Sequence, residues 1–207
     1  METEVARGLV KKIVVAAGAG IAGINMGNLE DWRTGIAAAD KLTVPMMGAS
    51  MFMGLMDTTI TQKKPGGAFP YTGHLQAQAR KAGDPRPGFY AIRLVQAQIA
   101  GFTAIERLDP AELSPADQKA ATGVWAYRLE RPAGPVWVLW YDDGALYLPG
   151  QVPPSLAIRL PFGTARARLT WVPTSRNESQ PRSETAEAGK ALSIELDATP
   201  VFVEEVR

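Results

Sequence analysis

The sequence predicts an α+β chain: a helix–strand–helix unit over residues 1–102, then an antiparallel β-sandwich over residues 103–207. Three observations lead there. Apolar residues recur at helical spacing in two early segments. After Gly101, seven short segments rich in β-branched and aromatic residues follow one another. The separators between those segments carry turn chemistry. The 207 residues suffice for one medium or two small domains, and 46% apolar content supports a real core.

The first element reads as a helix. Val5, Ala6, Leu9, Val10, Ile13 and Ala16 recur at helical spacing, while Glu4, Arg7, Lys11 and Lys12 take the other side. Thr3 stands at the N-cap position, and Gly18 or Gly20 is the stop. A short strand from Ile21 to Met26 follows and ends in a polar cluster, Asn28, Glu30, Asp31 and Trp32. Between Arg33 and Arg86 the signals are irregular. Pro65, Gly66-Gly67, Pro70 and Gly83-Asp84-Pro85 read as loops. A second helix opens at Pro87, carries Phe89, Tyr90, Leu94, Val95 and Ile99, and stops at Gly101.

The strands are expected at Thr103–Leu108, Val124–Glu130, Val136–Tyr141, Leu156–Leu160, Arg166–Val172, Ala191–Leu196 and Val201–Val206. Between them stand Pro132-Ala133-Gly134, Asp142-Asp143-Gly144, Pro149-Gly150, Pro153-Pro154 and Thr199-Pro200. Frequent turns between short strands are the pattern of a sandwich. Ser175–Ala188, polar and rich in Glu and Ser, reads as a long exposed loop.

Composition removes several functions. Lys and Arg number 22 against 21 Asp and Glu, so there is no basic excess for a nucleic-acid footprint. Cysteine is absent, which excludes disulfides and thiolate chemistry and leaves the compartment open. The single histidine, His74, is too little for a Cys/His zinc site, and no G-x-S-x-G elbow accompanies it. It reads as an exposed loop residue. Ile13–Met26 lacks a convincing cleavage site, and Val44–Met56 falls short of the ~20 residues that span a bilayer. No membrane segment and no cofactor are expected.

Four features carry possible chemistry. Gly18, Gly20 and Gly23 spell G-x-G-x-x-G, but a dinucleotide site needs a strand before that turn and a helix after it. Ile21–Leu29, with Gly23, Asn25, Gly27 and Asn28, is poor helix material. No good second strand leads to Asp40, the candidate ribose acid. Adjacent carboxylates at Glu30-Asp31, Asp142-Asp143 and Glu204-Glu205 point to opposite faces when on a strand, so adjacency alone makes none a glycosidase dyad. Asp142-Asp143-Gly144 reads as a hairpin turn, and Glu204-Glu205 as a solvated chain end. Glu30-Asp31 with Trp32 lies just past a strand's C-terminal end, where α/β folds keep their sites; an ordinary loop with a helix-capping Asp is the other reading. Trp125, Trp137, Trp140 and Trp171, with Tyr127, Tyr141 and Tyr147, either fill the sandwich core or form a row that stacks on sugars; core filling is the expectation. Arg166 and Arg168 share a face by parity, on the solvent side.

With the elements placed, the chain resembles the C-terminal end of the (β/α)8-barrel glycoside hydrolases that carry a β-sandwich after the barrel, the xylosidase- and glucanase-like members of the large retaining superfamily. Three stretches carry the likeness. Ala16-Ala17-Gly18-Ala19-Gly20-Ile21-Ala22-Gly23-Ile24-Asn25-Met26-Gly27-Asn28-Leu29 looks like the seventh helix running into the last barrel strand. Pro85-Arg86-Pro87-Gly88-Phe89-Tyr90-Ala91-Ile92-Arg93-Leu94 is similar to the opening of the final barrel helix. Gly123-Val124-Trp125-Ala126-Tyr127-Arg128 and Pro135-Val136-Trp137-Val138-Leu139-Trp140 resemble the first sandwich strands, and Leu192–Glu204 the closing one.

The resemblance implies that residues 1–102 are the C-terminal part of an incomplete TIM-barrel-like domain and 103–207 its sandwich. The implied function is hydrolysis of O-glycosidic bonds, with both catalytic glutamates expected upstream of Met1. Glu2 and Glu4 fall in the helix after the nucleophile strand and are not candidates. The last barrel strand usually offers a Trp to the sugar, and Met26 stands in that place. Asn28, Asp31 and Trp32 remain the substrate-binding candidates. The implied partners are an oligo- or polysaccharide and, where the gene is split, the rest of the barrel as a separate chain. A non-catalytic sandwich module, structural or carbohydrate-binding, is the competing class.

Overall fold

Every described strand ladder is antiparallel. The structure, a computed structural model, describes residues 2–21, 23, 55–60, 80–113, 115, 117, 119–145, 147 and 151–206. Among them are two α-helices, α1 (Glu2–Gly18) and α2 (Pro87–Ile99). The strands are β1 (Met56–Ile60), β2 (Arg80–Pro85), β3 (Ala104–Arg107), β4 (Val124–Glu130), β5 (Val136–Tyr141), β6 (Leu156–Pro161), β7 (Arg166–Trp171), β8 (Ser183–Glu187), β9 (Ala191–Leu196) and β10 (Val201–Val206). They form a β1-β2 pair, a six-stranded sheet in the order β3-β4-β5-β10-β7-β8, and a β6-β9 pair. The α+β class and the antiparallel architecture are as the sequence predicts.

The six-stranded sheet is covered on both sides, and its central strands record this in sequence. All six residues of β5 are buried. Trp137, Leu139 and Tyr141 enter the inner core, while Val136, Val138 and Trp140 enter the outer one. β4 splits in the same way, with Val124 and Ala126 inside and Tyr127 and Leu129 outside. Strands buried on both faces lose the strict polar alternation. In contrast, β6 and β9 keep it, burying Leu156, Ile158, Leu160 and Leu192, Ile194, Leu196 against the inner face.

The second sheet is the folded-back half of one ribbon. Pairing runs from Leu156↔Leu196 to Pro161↔Ala191, and resumes from Arg166↔Glu187 to Thr170↔Ser183. Between those ladders lie four residues on one strand (162–165) and three on the other (188–190). The unequal count is a bulge, which bends and twists a ribbon. Phe162 N–H to Lys190 O (3.2 Å) and Ala188 N–H to Ala165 O (2.8 Å) carry the ladder through the bend. Gly189, at φ +65°, supplies the left-handed residue the corner requires.

The helices lie together on the outer face. Ala6, Val10 and Val14 of α1 and Ala91, Leu94 and Val95 of α2 share one core with Tyr127, Leu129, Trp140 and Phe202 of the sheet. Pro87 occupies the first turn of α2, and Gly101, at φ +68°, follows its end. Gly88 lets the layers approach, since a Cβ there would stand 3.1 Å from both Leu9 Cδ1 and Leu55 Cδ2.

Four expectations need correction. Thr3 is not a cap: α1 already begins at Glu2, and the Thr3 hydroxyl donates instead to Thr174 O at 3.0 Å. Within the irregular stretch, Met56–Ile60 and Arg80–Pro85 pair as β1 and β2, so Gly83-Asp84-Pro85 is strand rather than loop. Ser175–Ala188 is not wholly loop, because Ser183–Glu187 is β8, the polar edge strand beside β7. An edge strand exposed on both sides has no apolar alternation to read. Asp142-Asp143-Gly144 does not close a hairpin: β5 pairs with β4 and β10, and the turn carries the chain away from that sheet.

Candidate functional site

Asn28, Asp31 and Trp32 lie outside the described residues, as do Glu30, Asp40, His74 and most of the expected strand from Ile21 to Met26. The glycine fingerprint is partly described, and its surroundings differ from a dinucleotide turn. The run Ile13–Ala17 that would have to be a strand belongs to α1. Gly20, at φ +74°, stands two residues past Gly18, the last residue of α1. Its N–H reaches Ala17 O at 3.0 Å, and Ile21 N–H reaches Ala16 O at 2.9 Å. That pair of bonds is the Schellman helix ending. Gly18 has a different reason to be glycine, because a Cβ there would stand 2.6 Å from Tyr127 Cε1.

The described carboxylate pairs are committed elsewhere. Asp142 accepts Gly144 N–H at 3.0 Å and pairs with Lys11 Nζ at 2.9 Å, tying the end of β5 to α1. Asp143 accepts Ala145 N–H at 3.0 Å and the Tyr147 hydroxyl. The hydrogen bond from Tyr147 holds the Asp143 carboxyl below the usual carboxylate range. The same bond pushes the Tyr147 hydroxyl up to about 12. Glu204 is not a solvated chain-end residue. β10 is a central strand, and Glu204 is half-buried with Arg131 at 2.8 Å. Asp142 and Asp143 are thus held by different partners, and Glu204 and Glu205, neighbours on one strand, point to opposite faces.

Most of the aromatic mass is core. Trp137, Trp140, Tyr127 and Tyr141 are buried. Trp140 stacks between Trp125 (centroids 5.8 Å) and Tyr127 (5.9 Å), beneath Lys11 of α1. Trp125 and Trp171 are half-buried, and each carries a guanidinium on its ring: Arg107 at 4.2 Å and Arg182 at 3.9 Å. Arg166 and Arg168 are exposed, as their parity predicts.

Two concavities among the described residues are roomy enough for a small molecule. One, of about 580 Å³, lies at the β4–β5 end, between Trp125, Lys119, Thr122 and the Asp142–Gly144 turn. The other, of about 600 Å³, opens at the edge of the sandwich where the β6-β9 pair stops short of covering β7 and β8. Its floor is apolar, with Leu169 and Val201. Trp171 forms a wall, and Arg182, Glu184, Glu195 and Asp197 stand around it. The register Leu169↔Glu184 brings the Glu184 carboxylate beside that floor. Sequence reading misses this cleft because β8 is polar. The one available signal is the parity of Arg166–Trp171, which puts Ala167, Leu169 and Trp171 on a single face. An apolar floor with an indole and a polar rim suits the binding of a polyhydroxylated ligand.

Among the described residues, no group of three His, Cys, Asp or Glu could hold a metal ion, and no helix is long and apolar enough to cross a membrane. A comparison with protein-family models gives no match, and neither does one with curated protein sequences.

Proposed function

We propose that the chain is the C-terminal portion of a (β/α)8-barrel glycoside hydrolase of the retaining superfamily, contributing closing helices and the appended sandwich. In this reading the chain is structural, and the catalytic glutamates come from barrel strands outside these residues. One observation carries it: α1 and α2 pack side by side and share a continuous core with the outer face of the six-stranded sheet. A sandwich appended to a barrel needs such a face to hold the barrel's last helices. The polar contacts around that core fix the orientation. Thr3 donates to Thr174 O and Arg93 to Ser179 O, both at 3.0 Å, and Arg176 pairs with Glu2. The sequence motifs at Pro85–Leu94 and Gly123–Trp140 fall on α2 and on β4 and β5, the elements that meet there.

The test is reconstitution. The chain is assayed on aryl β-xylosides and β-glucosides alone, and together with the polypeptide encoded immediately upstream. The expected result is no turnover alone, and co-elution with turnover in the mixture. Turnover by the isolated chain, or an upstream product with no barrel that neither binds nor gains activity, overturns the reading.

A further inference from the structure

We propose that the cleft at the open edge of the sandwich binds a short neutral oligosaccharide, with Trp171 as its stacking face and Glu184 and Arg182 as its hydroxyl partners. The choice of a sugar rests on the glycosidase reading; the cleft itself is built entirely from the sandwich.

The cleft, about 600 Å³, is within the range of small-molecule sites. Its indole is anchored, because Trp171 packs against the inner core while bounding the cleft. On the ring lies the Arg182 guanidinium, at 3.9 Å. That cover is loosely held: the Arg182 side chain is 67% exposed, and its ion pair with Glu184 is long, at 3.8 Å. An exposed cation–π contact is weak. A sugar ring, flat and apolar on its C–H face, takes the same position on the indole. The displaced guanidinium then remains on the rim as a donor to hydroxyls.

The other carboxylates narrow the choice of partner. Glu178 already accepts the Thr174 and Ser175 amides, Asp197 accepts the Thr199 amide, and Glu195 accepts the Ser155 hydroxyl. Glu184 is the acceptor with the least committed geometry, and it sits opposite Leu169 at the apolar floor. Four carboxylates against one guanidinium give the cleft a net negative charge, which repels a uronate and admits a neutral sugar.

The experiment titrates the full chain with xylohexaose, cellohexaose and hexagalacturonate, followed by calorimetry and tryptophan fluorescence. Saturable binding of a neutral hexasaccharide is expected, with none of the anionic one. Glu184→Gln, an exposed change that leaves the fold intact, weakens that binding about tenfold, the size of one charge-assisted hydrogen bond. Trp171→Leu abolishes it; should that variant unfold, Glu184→Gln alone decides. The proposal is overturned if neither neutral sugar saturates at millimolar concentration, if hexagalacturonate binds as well, or if Glu184→Gln binds like the parent. Those failures leave the barrel reading standing, since it is judged by association and turnover. A failed reconstitution with a filled cleft instead removes the barrel reading and keeps the site.

Discussion

The two faces of the six-stranded sheet are covered by layers of different origin. The inner cover, β6 and β9, is the continuation of β7 and β8 through a bent ribbon, and its core is mainly aliphatic: Leu139, Ile158, Leu160, Leu192 and Leu196. The outer cover is the two helices, with α2 joined to β3 through residues 100–103, and its core is built around Tyr127, Trp140 and Phe202. A layer joined by an unbroken ladder has its position set by the chain. A layer of helices has no ladder to the sheet, and its rim is where the long-range polar contacts gather. Arg7 donates to Thr199 at 3.0 Å, Lys11 pairs with Asp142 at 2.9 Å, and Arg131 bridges Gln98 O and Glu204. Polar bonds therefore supply orientation where a ladder does not.

Because β4, β5 and β10 serve both cores, damage to one face reaches the other. Trp140, 2% exposed, is the largest side chain of the outer core. Its truncation to Ala is expected to lower stability by about 4 kcal/mol, the usual range for a buried Trp or Phe. Urea unfolding checks this, with the outer layer followed by hydrogen exchange of the α1 and α2 amides and the inner core by that of the β6 and β9 amides. The two transitions are expected to coincide. If the α1 and α2 amides lose protection first while those of β6 and β9 keep theirs, the outer layer is a separable dock and β4, β5 and β10 do not carry damage between the cores.

The rim gives the next effect. Arg131 is only 8% exposed and holds the carboxylate of Glu204, the carbonyl at the end of α2 and its own turn through Gly134 O. Arg131→Met leaves Glu204 half-buried without its partner and is expected to destabilise by about 3 kcal/mol. The double change with Glu204→Leu is expected to recover most of that loss. A double-mutant cycle showing no coupling would remove the rim from its orienting role.

What the sequence made legible follows the same division. β4, β5, β9 and β10 are found at the predicted residues, because each buries at least one full face and its alternation or apolar run is bounded by Gly and Pro. β8 is invisible in sequence because Ser183–Glu187 buries almost nothing. Strands β1 and β2 sit in a region without periodicity, where Gly83 and Pro85 argue against a strand and pairing overrides them. The turn after β5 was legible as a turn but not as a crossing, since Asp-Asp-Gly closes hairpins and exits alike. The cleft depended on Arg182 and Glu184 meeting Trp171 and Leu169, which no local pattern contains.

Two glycines of α1 separate packing from backbone effects on the outer layer. Gly8 has open space where a Cβ would stand, so Gly8→Ala is expected to stabilise by about 0.5–1 kcal/mol through helix propensity alone. Gly18, the last residue of α1, carries less of that propensity gain, and its Cβ would press on the Tyr127 ring at 2.6 Å. Overpacking of that kind costs about 1–3 kcal/mol, so Gly18→Ala is expected to be net destabilising. Thermal melts of the two variants check the pair. Equal shifts would mean that α1 does not bear on the sheet at its C-terminal end.

The smallest effect is a dependence on alkaline pH, and it belongs to the outer face. Burial beneath the helix layer pushes the Tyr127 hydroxyl above its ordinary 10.0, with the nearby Arg107 charge pulling part of the way back. The folded chain therefore keeps a proton that the unfolded chain has begun to release near pH 10. Below that point the two states bind the proton equally and stability is unaffected. Above it the unfolded state holds fewer protons, so stability falls as pH rises through the interval up to the folded value. Urea midpoints taken from neutral pH to about 12 are expected to bend downward in the parent and to bend less in Tyr127→Phe. Arg107→Ala should deepen the bend, because it removes the charge that favours the phenolate. An unchanged alkaline slope in Tyr127→Phe would mean that water reaches the hydroxyl and that α1 does not seal the outer core over β4.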